Sequence, residues 1–163
     1  MKVGIVMGST SDWGVMKGAV EILDKFGVQH EVRVFSAHRT PHELESWVTQ
    51  LRENGYSTII AGAGGAAHLA GVVAAFTTLP VIGVPVKGTA FEGMDSLLSM
   101  VQMPSGIPVA VVAVNGAKNA ALLAIEILAV SDEELAAKLD AQRAAGMEKV
   151  LAKNAEIETK YNH

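Results

Sequence analysis

The residues with the most chemical potential lie in Ser36-Ala37-His38-Arg39-Thr40-Pro41. A titratable imidazole and a permanent cation stand side by side, directly before a helix start. Thr40 is a good N-cap, Pro41 suits the first helical position, and Glu43 falls where a capping box needs it. Such a place can bind an anion and move a proton. Gly8-Ser9-Thr10-Ser11-Asp12 offers backbone amides, hydroxyls and one carboxylate at another helix start. That set suits a phosphate or a sugar, yet Ser and Asp also favour plain turns and caps, and the residues alone leave both readings open.

A third stretch, Gly62-Ala63-Gly64-Gly65-Ala66-Ala67, fits a permissive G-x-G-x-x-A pattern. It follows the third strand rather than the first, and no acidic residue stands about 20 positions on, so a nicotinamide dinucleotide is not expected. The glycines instead let backbone lie against a flat ligand. His68, just beyond, reads equally as a cap or core histidine and as a pocket wall. His38 and His42 are four apart, but Pro41 begins the helix after His38, so they do not share a helical face. Ser46 stands where H-E-x-x-H requires its second histidine. No metal site is expected. Lys87 and Glu92 fall in a long loop that reads either as a lid or as a solvated connection.

The elements that hold these stretches read as alternating strands and helices. Lys2 to Met7, Ser57 to Ala61, Pro80 to Pro85 and Pro108 to Val114 are short, mostly apolar runs typical of buried parallel strands, and Gln29 to Phe35 (QHEVRVF) reads as a further strand. Between them, Trp13, Met16, Val20 and Leu23 form one helical stripe ended by Gly27. Leu44, Trp47, Val48 and Leu51 form another, ended by Asn54-Gly55. A helix from about His68 to Phe76 follows the glycines, and Asp95 is placed to cap a short helix through Val101. An Ala-rich helix is expected over about Ala117 to Ala129, and its segment Asn119 to Ala129 is apolar nearly all round, which suggests a subunit contact, with burial inside the chain as the alternative. Ser131 and Glu134 form a second capping box opening a polar last helix over about 131–160.

These elements predict one domain over residues 1–163: a three-layer α/β/α sandwich with a flavodoxin-like parallel sheet of about five strands over 1–130 and a C-terminal helix. Ligands of such sheets sit beyond the carboxyl ends of the strands, where all three candidate loops converge.

Composition narrows the function. Half of the 163 residues are apolar, 18% are charged and the net charge is −4, which gives no electrostatic reason to expect nucleic acid. Cysteine is absent, which removes thiolate chemistry and suits a cytoplasmic location. The first residues run as a strand into Ser-Thr-Ser-Asp, unlike a signal peptide. The apolar region from Ile107 to Val130 carries Asn115, Lys118, Asn119 and Glu126, so a membrane span is not expected.

Together with Gly83-Val84-Pro85 and Leu97-Leu-Ser-Met-Val-Gln-Met-Pro104, the three loops resemble the N5-carboxyaminoimidazole ribonucleotide mutases of bacterial purine synthesis, a group within the AIR carboxylases. The resemblance runs in order from residue 2 to about 129. It implies a flavodoxin-like protomer in a homo-octamer, with sites completed by neighbouring subunits and the last helix packed on one of them. It also implies transfer of a carboxylate from an exocyclic nitrogen to a ring carbon of an aminoimidazole ribonucleotide, with CO2 as the mobile species and no cofactor. His38 matches the catalytic histidine, while Ser9, Ser11, Asp12, Ser36, Arg39, Gly64, Gly65 and His68 match substrate-binding or pocket positions. Ala70, Val112 and the short turn Asn115-Gly116-Ala117 depart from the family pattern. Competing expectations are a direct CO2-dependent carboxylase and a non-catalytic nucleotide-binding module. A flavoprotein ranks last, because no aromatic pair is placed to sandwich a flavin.

Overall fold

The computed structural model describes residues 1–88 and 90–162. Five strands form a single parallel sheet in the order β2-β1-β3-β4-β5: β1 (Lys2–Met7), β2 (Gln29–Val34), β3 (Tyr56–Gly64), β4 (Val81–Val86) and β5 (Ala110–Val111). This is the flavodoxin order, and it bears out the expected sandwich. Its switch point lies between β1 and β3, because the chain leaves β1 for one side of the sheet and returns on the other. On one face lie α1 (Trp13–Phe26), α5 (Ala117–Ala129) and the start of α6 (Glu133–Tyr161). On the other lie α2 (Pro41–Gln50), α3 (Leu69–Ala75) and α4 (Met94–Val101).

The pleat divides the core. Val3, Ile5 and Met7 of β1 face Met16, Leu23 and the alanines of α5, whereas Val6 faces Leu44 and Val48 of α2. Each fully buried large side chain of this set contributes roughly 1.5–3 kcal/mol of hydrophobic stabilisation. Glycine in the sheet gives large partners room. A Cβ on Gly62 would stand 2.2 Å from the Met16 sulfur, and one on Gly4 would stand 3.2 Å from the Trp47 ring.

Several elements depart from expectation. β3 runs on through Gly64, because Gly62, Ala63 and Gly64 pair in register with Val84, Pro85 and Val86. Glycine's weak strand preference hides this in the sequence. β5 is cut to two paired residues. The carbonyls of Gly83 and Pro85 both accept from the β5 side, from Val112 and Asn115, so the proline nitrogen faces β5 with no proton to donate. β2 stops at Val34, one residue short of the expected end.

Three caps also change. The Thr40 hydroxyl turns back on Ser36 and leaves α2 without a side-chain cap. Gly93, not Asp95, precedes α4, and Asp95 lies inside its first turn. Asp132 rather than Ser131 caps α6, accepting from the Leu135 amide at 3.0 Å, while the Ser131 hydroxyl donates to the Leu128 carbonyl. α5 has the expected bounds, and its extensive burial is supplied within the chain by α1, α6 and the sheet. In α6 only Leu135 and Leu139 are buried, and every described residue from Arg143 onward is exposed.

Candidate active site

Four loops at the carboxyl ends of β1 to β4 surround a cleft of about 660 Å³. After β1, the Gly8 amide donates to the Gly62 carbonyl at 3.1 Å and fixes the loop against β3. Ser9 then caps a single 3-10 turn, Thr10–Asp12. Its hydroxyl accepts from the Ser11 amide at 3.2 Å, and the Asp12 carboxylate accepts from the Ser9 amide at 3.1 Å. This reciprocal capping holds Asp12 93% buried, at 7% relative exposure. Burial pushes the Asp12 carboxyl above its ordinary range, and the Ser9 amide offsets part of that rise.

After β2, the chain closes on itself. The Thr40 hydroxyl accepts from the Ser36 amide at 2.8 Å and donates to the Ser36 carbonyl at 3.2 Å. The Ser36 hydroxyl in turn accepts from the amides of His38 and Arg39, at 3.3 and 3.2 Å. Two hydroxyls therefore staple the tight turn that presents the imidazole and the guanidinium. Arg39 reaches across to the Gly8 carbonyl at 3.3 Å and ties this loop to the first.

After β3, Gly65 takes a left-handed φ of 62°, which turns the chain from the strand towards α3 at little steric cost. Ala67 is fully buried, and its amide donates to the Ser99 hydroxyl of α4 at 3.1 Å. His68 follows at the start of α3. Its Nδ1 lies 2.8 Å from Nε2 of His38, with the rings edge-on at 85° and centroids 5.0 Å apart. A hydrogen bond between two imidazole nitrogens needs one ring to donate and the other to accept. A single proton therefore lies between them, and the outer nitrogen of each ring makes no hydrogen bond to the other described residues.

Of the residues marked out by sequence, Ser9, Ser11, Asp12, Ser36, His38, Arg39, Gly64 and Gly65 line this one cleft, and His68 joins it through His38. His42 lies exposed on α2 and lines no part of it. Sequence reasoning gave no role to Thr40 as a loop staple or to Ser99 as an anchor. The Ser99 contact spans 32 positions, and no local pattern announces it. Among the described residues no three histidines or carboxylates converge as a metal site. A larger cavity of about 800 Å³ opens near the amino ends of β4 and β5, lined by Arg52, Phe76, Thr78 and Pro108 among others. No histidine lines it, whereas His38 lines the smaller cleft.

A doubly wound sheet with a paired-imidazole cleft at its switch point defines a flavodoxin-like α/β protein with a cleft suited to a small polar ligand. The AIR carboxylase family model matches residues 2–149, and the chain belongs to that family. The match extends past residue 129, where the motifs fade, to just beyond the middle of α6. An N5-carboxyaminoimidazole ribonucleotide mutase of Vibrio vulnificus is 57% identical over 154 residues, covering 93% of this chain and 96% of that protein. A chloroplastic phosphoribosylaminoimidazole carboxylase of Vigna aconitifolia is 51% identical over 156 residues, covering 96% of this chain but 28% of that longer protein. The crystal structure of Treponema denticola PurE superposes with a TM-score of 0.87 at 31% identity, covering 99% of each chain.

Proposed function

We propose that this chain is an N5-carboxyaminoimidazole ribonucleotide mutase acting in purine synthesis, with His38 as its general acid and base. The observation that carries this reading is the 2.8 Å imidazole pair, His38 on His68, set at the glycine turn of the cleft.

The chemistry follows from the bonds that change. Protonation of the exocyclic nitrogen lets its bond to the carboxylate break, releasing CO2 and a neutral amine. The freed aminoimidazole is electron-rich at ring carbon C4, like an enamine, and that carbon attacks CO2 to form the new carbon–carbon bond. The proton then on C4 leaves, and the ring regains aromaticity. One proton is delivered and one removed, so an imidazole that gives the first can take the second. His68 orients His38 and accepts or returns charge through the shared hydrogen bond.

The remaining residues bind and exclude. Gly64 and Gly65 let the heterocycle and CO2 lie against backbone without side-chain bulk, which keeps the freed CO2 near C4. Asp12 accepts hydrogen bonds from ribose hydroxyls. Arg39, the hydroxyls of Ser9, Ser11 and Ser36 and the loop amides hold the phosphate.

Within this proposal the active form is a homo-octamer of cytoplasmic protomers. In the single chain His38, Arg39 and His68 are exposed, and Phe91, Met94, Leu98 and Val101 present an apolar face along α4. Met147, Val150, Leu151 and Ile157 leave a second apolar stripe on the exposed part of α6. Neighbouring copies would cover both faces and close the cleft. No described helix is long and apolar enough to cross a membrane.

The plant carboxylase relative favours a second reading, direct carboxylation of aminoimidazole ribonucleotide. Purified protein is given either N5-carboxyaminoimidazole ribonucleotide without bicarbonate, or aminoimidazole ribonucleotide with it. The mutase reading expects turnover of the first at a far higher kcat/KM. Turnover of the second alone would replace it with the carboxylase.

A further inference from the structure

Lys87 and Glu92 lie in the loop after β4, outside the roles assigned so far. Lys87 and Arg39 are the two Lys or Arg residues that line the cleft among the described residues. Arg39 already reaches the Gly8 carbonyl on the β1 side, whereas Lys87 stands on the far side, next to Val86 and the strand end paired with Gly64. Its backbone is fixed. The Lys87 amide donates to the Asn115 side-chain oxygen at 2.9 Å, and Asn115, itself at a left-handed φ of 59°, donates its amide to the Pro85 carbonyl at 2.8 Å.

The Lys87 side chain is not fixed in this way. Its ammonium pairs with the Glu92 carboxylate, and the two side chains are 50% and 71% exposed. Glu92 adopts a left-handed φ of 54°, an uncommon conformation for a residue with a long side chain, directly before Gly93 at φ 92°. A solvated ion pair of this kind contributes little net stability and exchanges readily for a stronger anion. The ligand of the proposed reaction brings such anions, a phosphate and a carboxylate, into the same cleft.

We propose that Lys87 is a substrate-binding cation, that Glu92 holds its ammonium when no substrate is bound, and that an anionic group of the substrate displaces Glu92 on binding. This inference rests on the functional reading above. It makes Lys87 and Glu92 opposed determinants of affinity: one attracts the ligand and the other competes with it.

The test is a calorimetric double-mutant cycle on the full chain, with 4-carboxyaminoimidazole ribonucleotide and, separately, with aminoimidazole ribonucleotide, which lacks the carboxylate. Lys87→Met is expected to raise Kd about tenfold or more, the loss of a charge-assisted hydrogen bond. Glu92→Gln is expected to lower Kd about two- to fivefold, as removal of a competing surface pair allows. In the Lys87→Met background Glu92→Gln should change nothing, a coupling that a merely structural loop would not give. A Lys87→Met loss shared by both ligands assigns the phosphate as the displacing group, and one confined to the carboxylated ligand assigns the carboxylate. Circular dichroism checks that each variant is folded. Wild type that binds neither ligand overturns the functional reading and this inference with it. Wild type that binds, with Lys87→Met within twofold of it or Glu92→Gln equally effective in both backgrounds, overturns this inference alone.

Discussion

Ser99 gives a direct measure of how far the site depends on a contact outside it. Its hydroxyl accepts the Ala67 amide at 3.1 Å, and Ala67 is fully buried. In Ser99→Ala that amide loses its partner where water does not reach it, and a buried unsatisfied donor costs about 1–3 kcal/mol. The hydroxyl's donation to the Asp95 carbonyl at 2.7 Å is lost as well, but that carbonyl lies in the first turn of α4 and keeps helical partners. About 2 kcal/mol corresponds to roughly 4–8 °C in Tm for a domain of this size. The same amide lies one residue before His68, so the His38–His68 bond should loosen, and turnover should fall by about tenfold or more as reacting groups shift. Urea denaturation at fixed protein concentration reads the first effect and mutase turnover the second. Ser99→Thr keeps a hydroxyl on the same helix face and should recover most of both. Ser99→Ala within about 0.5 kcal/mol of wild type and with full turnover would refute the reasoning.

Asp12→Asn should weaken substrate binding about tenfold, read as KM, without loss of stability. The buried carboxyl has a raised pKa, so its ionised form costs free energy at neutral pH, and an amide oxygen can still accept from Ser9. Any stability gain of the variant should shrink as pH falls through the carboxylate range, where wild-type Asp12 takes up its proton. Glu31 shows the opposite sign. The Tyr56 hydroxyl, then Arg33 and Lys2, hold its carboxyl down from 4.5 to about 2. Its contribution is therefore complete above about 4.5 and is lost as pH falls towards 2, and Glu31→Gln should flatten that acid limb of the unfolding curve. With the Glu31 side chain 26% exposed, about 1–2 kcal/mol is expected at neutral pH, and a variant as acid-sensitive as wild type would contradict the assignment.

Strands β1 and β4, with α1 and α5, were legible because burial imposes a pattern the sequence must carry, whereas the edge strand β2 has no buried residue. After Lys2, β1 reads VGIVM, apolar throughout because it is covered on both faces, and Gly27 ends α1 in the left-handed conformation that favours glycine. Caps were less legible. Thr40, Asp95 and Ser131 each have a suitable side chain at a suitable place, yet tertiary contacts or a neighbouring residue took the role. The length of β3 was hidden because glycine speaks against a strand locally, while pairing with β4 decides the matter at long range. Within the site, the loops could be found from their residue types. The contact of His38 with His68 could not, because it joins residues 30 positions apart through two turns whose geometry is fixed only on folding.

The central claim is that His38 moves the proton, and the most direct test compares wild type with His38→Asn. Asparagine keeps a polar side chain on the stapled Ser36–Thr40 turn but cannot act as an acid and base near neutral pH. Turnover of N5-carboxyaminoimidazole ribonucleotide should fall by about a thousandfold, with the Kd for 4-carboxyaminoimidazole ribonucleotide within a few-fold of wild type. A folded His38→Asn protein that turns over within tenfold of wild type would contradict the account.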